Sequence, residues 1–198
     1  MDLKGKKVIL ASGSPRRREL LAGLSIDFEV DTENHFKENF RPDTPHSLVP
    51  VLMSEGKSDG FHRPLEEGEI LVTADTMVLL DGLIMGKPRS RDEAVAMLKA
   101  LSGRTHEVIT AVTLRDCLHR ETVSDSTLVH FRELRQDEID YYIDNFRPFD
   151  KAGAYGIQEW IGYAAITGID GSFYNVMGFP VHKVYEELIK FANYGTER

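Results

Sequence analysis

The stretch Glu69 to Leu80, EILVTADTMVLL, followed by Asp81-Gly82 and then by Leu83 to Met85, constrains the fold more than any other part of the chain. Both faces of the first segment are apolar, the pattern of a strand covered on both sides rather than on one. Asp-Gly suits the two positive φ angles of a type I′ turn, so Leu83 to Met85 is expected to return antiparallel and to end at Gly86-Lys87-Pro88.

Asp75 lies in the middle of that strand. Strand propensity disfavours aspartate, and an unpaired buried carboxylate is expensive. Two readings stand at this point. The carboxylate bonds neighbouring backbone or an arginine, or it is a metal ligand or general base at the floor of a cleft. In a regular two-residue hairpin Leu80 pairs with Leu83, and Lys87 then falls opposite Thr76 on the face away from Asp75. A bulge at Gly86 would turn Lys87 towards the carboxylate, so an irregularity is expected there.

Val8 to Leu24, VILASGSPRRRELLAGL, reads as a short strand, a Ser/Gly turn and a helix beginning at Pro15. Such a turn aims free backbone N–H groups and the positive end of a helix dipole at whatever lies in front of it. Arg16, Arg17 and Arg18 occupy the first helical turn, where cations oppose the dipole. Either an anion compensates them, or they are solvated and Ser14 is a plain N-cap with Pro15 at N1.

Elsewhere the pattern alternates between sheet and helix. Phe28 to Pro45 reads as loop with one short strand, and Leu48 to Asp59 as a short helix with Leu48, Val51 and Leu52 inward and Pro50 confined to its first turn. Ser90 to Gly103 is a helix with Ser90 as N-cap, Glu93 as capping-box partner and Gly103 as stop. His106 to Leu114 and Glu121 to Phe131 are strands joined by a short hairpin. Gln136 to Phe146 is helical, Asp150 to Gln158 is an ordered glycine-rich loop feeding a strand, and a last helix from Pro180 buries Val181, Val184, Tyr185, Leu188 and Phe191. His106, at a strand start, reads more readily as a hydrogen-bonding structural residue than as a ligand.

Composition removes several classes of function. The 198 residues suffice for one α/β domain, 1–198, or for two lobes around a cleft, and the single cysteine, Cys117, allows neither an internal disulfide nor a thiolate metal cluster. A net charge of −8 disfavours binding a nucleic-acid polymer, although a small phosphorylated ligand needs only a few local cations. No apolar run approaches the ~20 residues that span a bilayer, and Lys4, Lys6 and Lys7 precede too short an apolar run for a signal peptide. The chain reads as soluble and cytoplasmic. The histidines lack paired ligand spacing, which disfavours zinc, whereas a magnesium-type ion held by carboxylates and substrate phosphates remains compatible.

Four blocks, SGSPRRRELL, ADTMVLLDGLIMGKP, LSGRTHEVITAV and DKAGAYGIQ, together resemble the Maf family of septum-formation inhibitor proteins and nucleoside triphosphate pyrophosphatases. They occur in the family's order. The resemblance implies an elongated mixed sheet with flanking helices, similar to inosine triphosphate pyrophosphatases, with two lobes around a nucleotide cleft. It also implies hydrolysis of a nucleoside triphosphate to the monophosphate and pyrophosphate with a divalent cation, Mg2+ or Mn2+, and a homodimer.

Carried over by position, Ser12, Ser14, Arg16 and Arg17 would hold phosphates, and Asp75 would be the general base or metal-linked carboxylate. Lys87 would neutralise developing charge, Glu38 would join Asp75 at the metal, and Lys57 would match a substrate lysine. Glu55-Gly56-Lys57 stands where the family usually shows Glu-Lys. Arg16, Thr76 and Gln158 resemble the dTTP/UTP branch. The amide of Gln158, with its donor and acceptor, suits the O4 and N3–H of a pyrimidine, and equally suits a glycine-rich backbone. The implied reaction is metal-assisted attack of water at the α-phosphorus. A nucleotide-binding regulator of division without turnover would use the same phosphate loop, and a protein-interaction domain with surface arginines is the third reading.

Overall fold

Short β1 (Lys7–Leu10) leads through a Ser/Gly turn into α1 (Pro15–Ala22), and β2 (Phe28–Val30) precedes a long irregular stretch. A 3-10 turn then opens α2 (Val49–Asp59), followed by β3 (Glu69–Leu80), β4 (Leu83–Met85) and α3 (Arg91–Leu101). The strands β5 (Thr105–Arg115) and β6 (Arg120–Phe131) precede α4 (Gln136–Phe146), α5 (Trp160–Ala165), β7 (Ile166–Asp170), α6 (Phe173–Val176) and α7 (Val181–Asn193). The computed structural model describes residues 2–194. Among these, the strands form a mixed seven-stranded sheet in the order β2-β1-β3-β5-β6-β7, with β4 on β3, so the fold is α/β.

Two compact units emerge. One holds the residues up to Asp75, Thr110–Asp125 and the residues from Gly178 on; the other holds Thr76–Ile109 and Ser126–Met177. β3, β5 and β6 run through both. No described helix is long and apolar enough to cross a membrane.

In the first unit β1 pairs in parallel with both β2 and β3, Leu10 lying opposite Val30 and Val72. A strand enclosed on both edges and faces must be apolar throughout, and Val8, Ile9 and Leu10 are fully buried. Ile9 and Leu71 pack with Phe61 in a core extended by Ala11 and Leu65. One further bond, from Ala11 N to Val72 O at 2.9 Å, carries the pairing past β1. The Ser12-Gly13-Ser14 turn therefore leaves the sheet at the carboxyl end of β1, alongside the middle of β3, and the carboxyl ends of parallel strands are where open α/β sheets place their ligands.

α2 turns a different face inward from the expected one. Leu48 and Leu52 are 50% and 43% exposed, while Val49, Pro50, Met53, Ser54 and Ser58 are buried. The reason is polar: Ser54 O accepts from Thr73 Oγ1 at 2.7 Å, and Ser54 Oγ bonds Thr113 Oγ1 at 2.9 Å. Arg115 reaches Ser58 through both Oγ and O. Small hydroxyls let the helix lie close on the strands and satisfy themselves there, leaving two leucines outside. α7 buries Val184, Leu188 and Phe191 as expected, but its stripe also takes in Glu187 and Ala192, while Val181 is half-buried and Tyr185 exposed.

In the second unit the β3–β4 hairpin has the expected register, Leu80 opposite Leu83, with Asp81 and Gly82 both at positive φ (51° and 75°). The ladder ends at the pair Val78–Met85, so the irregularity at Gly86 is a strand end instead of a bulge. The backbone departs because Gly86 O accepts from Gly153 N at 3.1 Å, tying the hairpin to the glycine-rich loop. That loop feeds α5, not a strand; β7 follows α5 and pairs antiparallel with β6. Ser90 caps α3 as expected, its Oγ accepting from Glu93 N at 3.2 Å, although Glu93 returns its bond to Arg89 N.

Candidate functional site

The first unit brings three of the expected residues into one cluster. Asp75 is at the end of this unit's share of β3, Lys57 is in the last turn of α2, and Glu38 is in the irregular stretch. Lys57 Nζ lies 2.6 Å from Asp75 Oδ1 and 2.8 Å from Glu38 Oε1. The mid-strand aspartate therefore has a lysine as its hydrogen-bonded partner, with the Arg17 guanidinium a further charge neighbour. Two carboxylates flank one ammonium, Asp75 half-buried and Glu38 exposed.

Glu38 is brought there by residues that sequence reasoning did not single out. Asn34 Nδ2 donates to Lys57 O at 2.6 Å, and its Oδ1 accepts from Phe36 N at 2.8 Å. His35 N donates to Gly60 O at 2.8 Å, so the segment is laid along the end of α2. Gly60 is required by space: a Cβ there would sit 2.6 Å from Phe36 Cβ and 2.7 Å from Phe36 N. An asparagine four residues before the acid and a glycine just past the lysine were the available signals.

The Ser/Gly turn, at the end of β1, is tied through Arg17 to the strand that carries Asp75. Ser14 is extended at the N-cap of α1 with no side-chain cap bond, and its N–H donates weakly to Ser12 Oγ at 3.3 Å. Arg17 works within the protein frame. Its Nε donates to Gly178 O and its Nη1 to Ala74 O, both at 2.9 Å, and Nη1 also reaches Ser12 Oγ at 3.3 Å. Burial lowers its pKa to about 10, a fall that the neighbouring Asp75 carboxylate partly offsets. Arg17 thus fastens the turn to the residue before Asp75. Arg16 is half-buried beside it, and Arg18 is exposed.

The second unit carries Thr76, Lys87 and Gln158. Thr76 is half-buried on β3, and Lys87 is exposed just beyond β4. Gln158 Oε1 is buried without a hydrogen-bond partner among the described residues, an uncommon condition for an amide oxygen. His106 is structural: its Nε2 bonds Tyr155 Oη at 2.7 Å, and its ring packs edge-on against Phe131 and Tyr155. Burial lowers its pKa to about 4.

No group of three or more His, Cys, Asp or Glu side chains among the described residues forms a ready metal cage. Glu38 and Asp75 nevertheless fit a hard divalent cation, since they already hold a cation, the Lys57 ammonium, between them. Such an ion would take its remaining oxygens from substrate phosphates and water.

Residues 7–191 match the family model described as Maf-like protein. The chain is 47% identical over 193 residues to a dTTP/UTP pyrophosphatase of Porphyromonas gingivalis (strain ATCC BAA-308 / W83), covering 96% of this chain and 97% of that protein. It is 46% identical over 189 residues to a dTTP/UTP pyrophosphatase of Bacteroides thetaiotaomicron, covering 96% and 98%. Among solved structures, a HAM1 protein from Coxiella burnetii aligns with a TM-score of 0.45 at 15% identity, over 98% of this chain and 100% of that one. With the family model matched from β1 into α7 and relatives of this similarity along nearly the whole sequence, the chain belongs to the Maf family.

Proposed function

We propose that the protein is a nucleoside triphosphate pyrophosphatase that converts dTTP and UTP to the monophosphate and pyrophosphate. The observation that carries this reading is the Glu38–Lys57–Asp75 cluster beside the Ser/Gly turn. Its relatives at 46% and 47% identity bear the name dTTP/UTP pyrophosphatase.

The chemistry follows from charge and position. Asp75 and Glu38 would hold Mg2+ or Mn2+, which when bound neutralises phosphate charge and acidifies water. Asp75 orients the attacking water and accepts its proton as the new P–O bond forms at the α-phosphorus. The bond from that phosphorus to the bridging oxygen breaks, and pyrophosphate leaves with the bonding pair. Lys57, already between the carboxylates, offers its ammonium to the phosphates. Ser12, Ser14 and Arg16 supply hydrogen-bond donors to them, and Arg17 keeps the turn in place for that task. In the second unit, Lys87 is assigned to leaving-group charge, and Thr76 and Gln158 to the base. No protein nucleophile is required, since phosphoryl chemistry of this kind rests on positioning and electrostatics.

We read residues 1–198 as one domain, because β3, β5 and β6 thread both units, and the protein as a cytoplasmic homodimer; sedimentation measures the latter. The deciding experiment for the reaction is Asp75→Asn assayed for pyrophosphate release from UTP and dTTP with Mg2+ or Mn2+. Turnover should fall by about two to four orders of magnitude, the usual span for losing a general base. Near wild-type turnover would overturn the assignment, and a wild type that binds nucleotide without releasing pyrophosphate would favour the regulator.

A further inference from the structure

Gln158 lies in the turn Gly156–Glu159, and three side chains outside the assigned site lock that turn. Glu159 N closes it on Gly156 O at 3.0 Å. The hydroxyl of Tyr142, on the buried face of α4, holds both ends: it accepts from Gly156 N at 3.0 Å and donates to Glu159 Oε2. The other oxygen of Glu159 lies 3.0 Å from the ammonium of Lys151, which also pairs with Asp150 at 2.7 Å. Lys151 is buried, which a lysine tolerates only when paired.

The packing leaves no slack. A Cβ on Gly156 would stand 2.9 Å from Glu159 Cδ and 3.1 Å from Lys151 Cε. On the far side, one on Gly162 would meet Ile157 O at 1.7 Å, so the backbone of α5 lies flush against the turn. Within this frame Gln158 Oε1 is buried without a partner among the described residues. A buried acceptor left open is costly, and a rigid frame holds it ready for a ligand donor instead of letting it turn to find a protein one. Uracil and thymine carry a hydrogen on N3 that meets such an acceptor; cytosine has a lone pair there.

We propose that Tyr142, Glu159 and Lys151 are positioning residues that hold the Gln158 amide for the N3–H edge of uracil and thymine, and so set discrimination against cytosine nucleotides. The proposal rests on Gln158 reading the base, as set out under the proposed function. None of the three needs to touch the substrate, and their removal acts through the turn.

The test is steady-state pyrophosphate release by the full-length protein with UTP, dTTP and CTP. Tyr142→Phe removes only the hydroxyl and keeps the ring stacked on Phe146, 5.3 Å between centroids. KM for UTP and dTTP should rise about three- to tenfold, the worth of a hydrogen bond or two, with kcat within about twofold. The UTP-to-CTP ratio of kcat/KM should fall by the same factor. Glu159→Gln keeps an acceptor for the phenol, should give a smaller rise in KM, and carries the test if the first variant does not fold. Unchanged KM and ratio, or a uniform loss of kcat on all three substrates, would overturn the proposal. Gln158→Leu separates the two layers: an unchanged ratio there overturns base reading itself, whereas a collapsed ratio there with an intact one in Tyr142→Phe overturns the clamp alone.

Discussion

Mild acid should destabilise this protein through one buried imidazole. His106 is 2% exposed, bonded through Nε2 to Tyr155 and packed edge-on against Phe131. Burial, with a smaller contribution from the charge of His130, lowers its pKa from 6.5 to about 4. Between those values the unfolded chain holds a proton that the folded one refuses, so the contribution of His106 to stability is complete above the unfolded value and drains away as pH falls towards the folded one. A gap of ~2.5 pH units corresponds to about 3 kcal/mol at the acid limit, of which ~2 kcal/mol is already lost at about pH 5. Glu138 does not confuse that window. Hydrogen bonding from Arg132 holds it at about 2 against an ordinary 4.5, so its contribution persists above 4.5 and is lost only at lower pH. Urea unfolding at about pH 7.5 and pH 5, for wild type and His106→Gln, isolates the imidazole. The wild type should lose about 2 kcal/mol more than the variant across that interval. Equal losses would refute the reasoning, since they would mean that the ring is as easily protonated in the folded state as in the unfolded.

Three further outcomes follow from contacts elsewhere. Lys57→Gln takes away the ammonium that occupies the place between Glu38 and Asp75, so nucleotide-free protein should bind Mn2+ about thirtyfold more tightly by calorimetry, the ~2 kcal/mol by which a divalent ion and one positive charge repel at ~4 Å in water-like surroundings, while pyrophosphate release falls. Gly60→Ala drives a Cβ against the backbone of Phe36; urea unfolding should show a loss of about 1–3 kcal/mol, and turnover should drop with it because Glu38 rides on that segment. Gly162→Ala meets the carbonyl of Ile157 at 1.7 Å. Since neither main chain can yield cheaply, calorimetric melting should fall by about 5–10 °C, near the upper end of overpacking costs.

Legibility from the sequence tracked how local each signal was. The β3–β4 hairpin could be read because a two-residue Asp-Gly turn carries its own register, and α4 because Ile139, Tyr142 and Ile143 mark one helical face of an otherwise charged segment. The face of α2 could not, because its inward stripe includes Ser54 and Ser58, polar residues whose partners come from distant strands, and on α7 Val184, Leu188 and Phe191 were legible whereas Glu187, paired within the helix, was not. β7 escaped for a related reason. Its five residues, Ile166–Asp170, include a glycine and end on an aspartate, and their strand conformation comes from pairing with β6, Leu128 against Asp170 and Val129 against Ile169. No local pattern encodes a partner that far away.

The candidate site divides along a different line. Asp75, in a strand, and the arginines, at a helix start, break local rules, and a broken rule is visible without a structure. Yet the rule-breakers did not all turn out alike. Asp75 meets a lysine that shares itself with Glu38, a cation arrangement suited to exchange with an incoming charged ligand. Arg17 spends Nε and Nη1 on main-chain carbonyls and on Ser12, so its apparent misfit is resolved mainly by the frame. Tyr142, Lys151 and Glu159 break no rule where they stand in the chain, because each looks ordinary until the fold buries them together. Residues that touch a ligand must carry its chemistry and so stand out by type. Residues that position them need only the right neighbours, and the neighbours exist only in the folded chain.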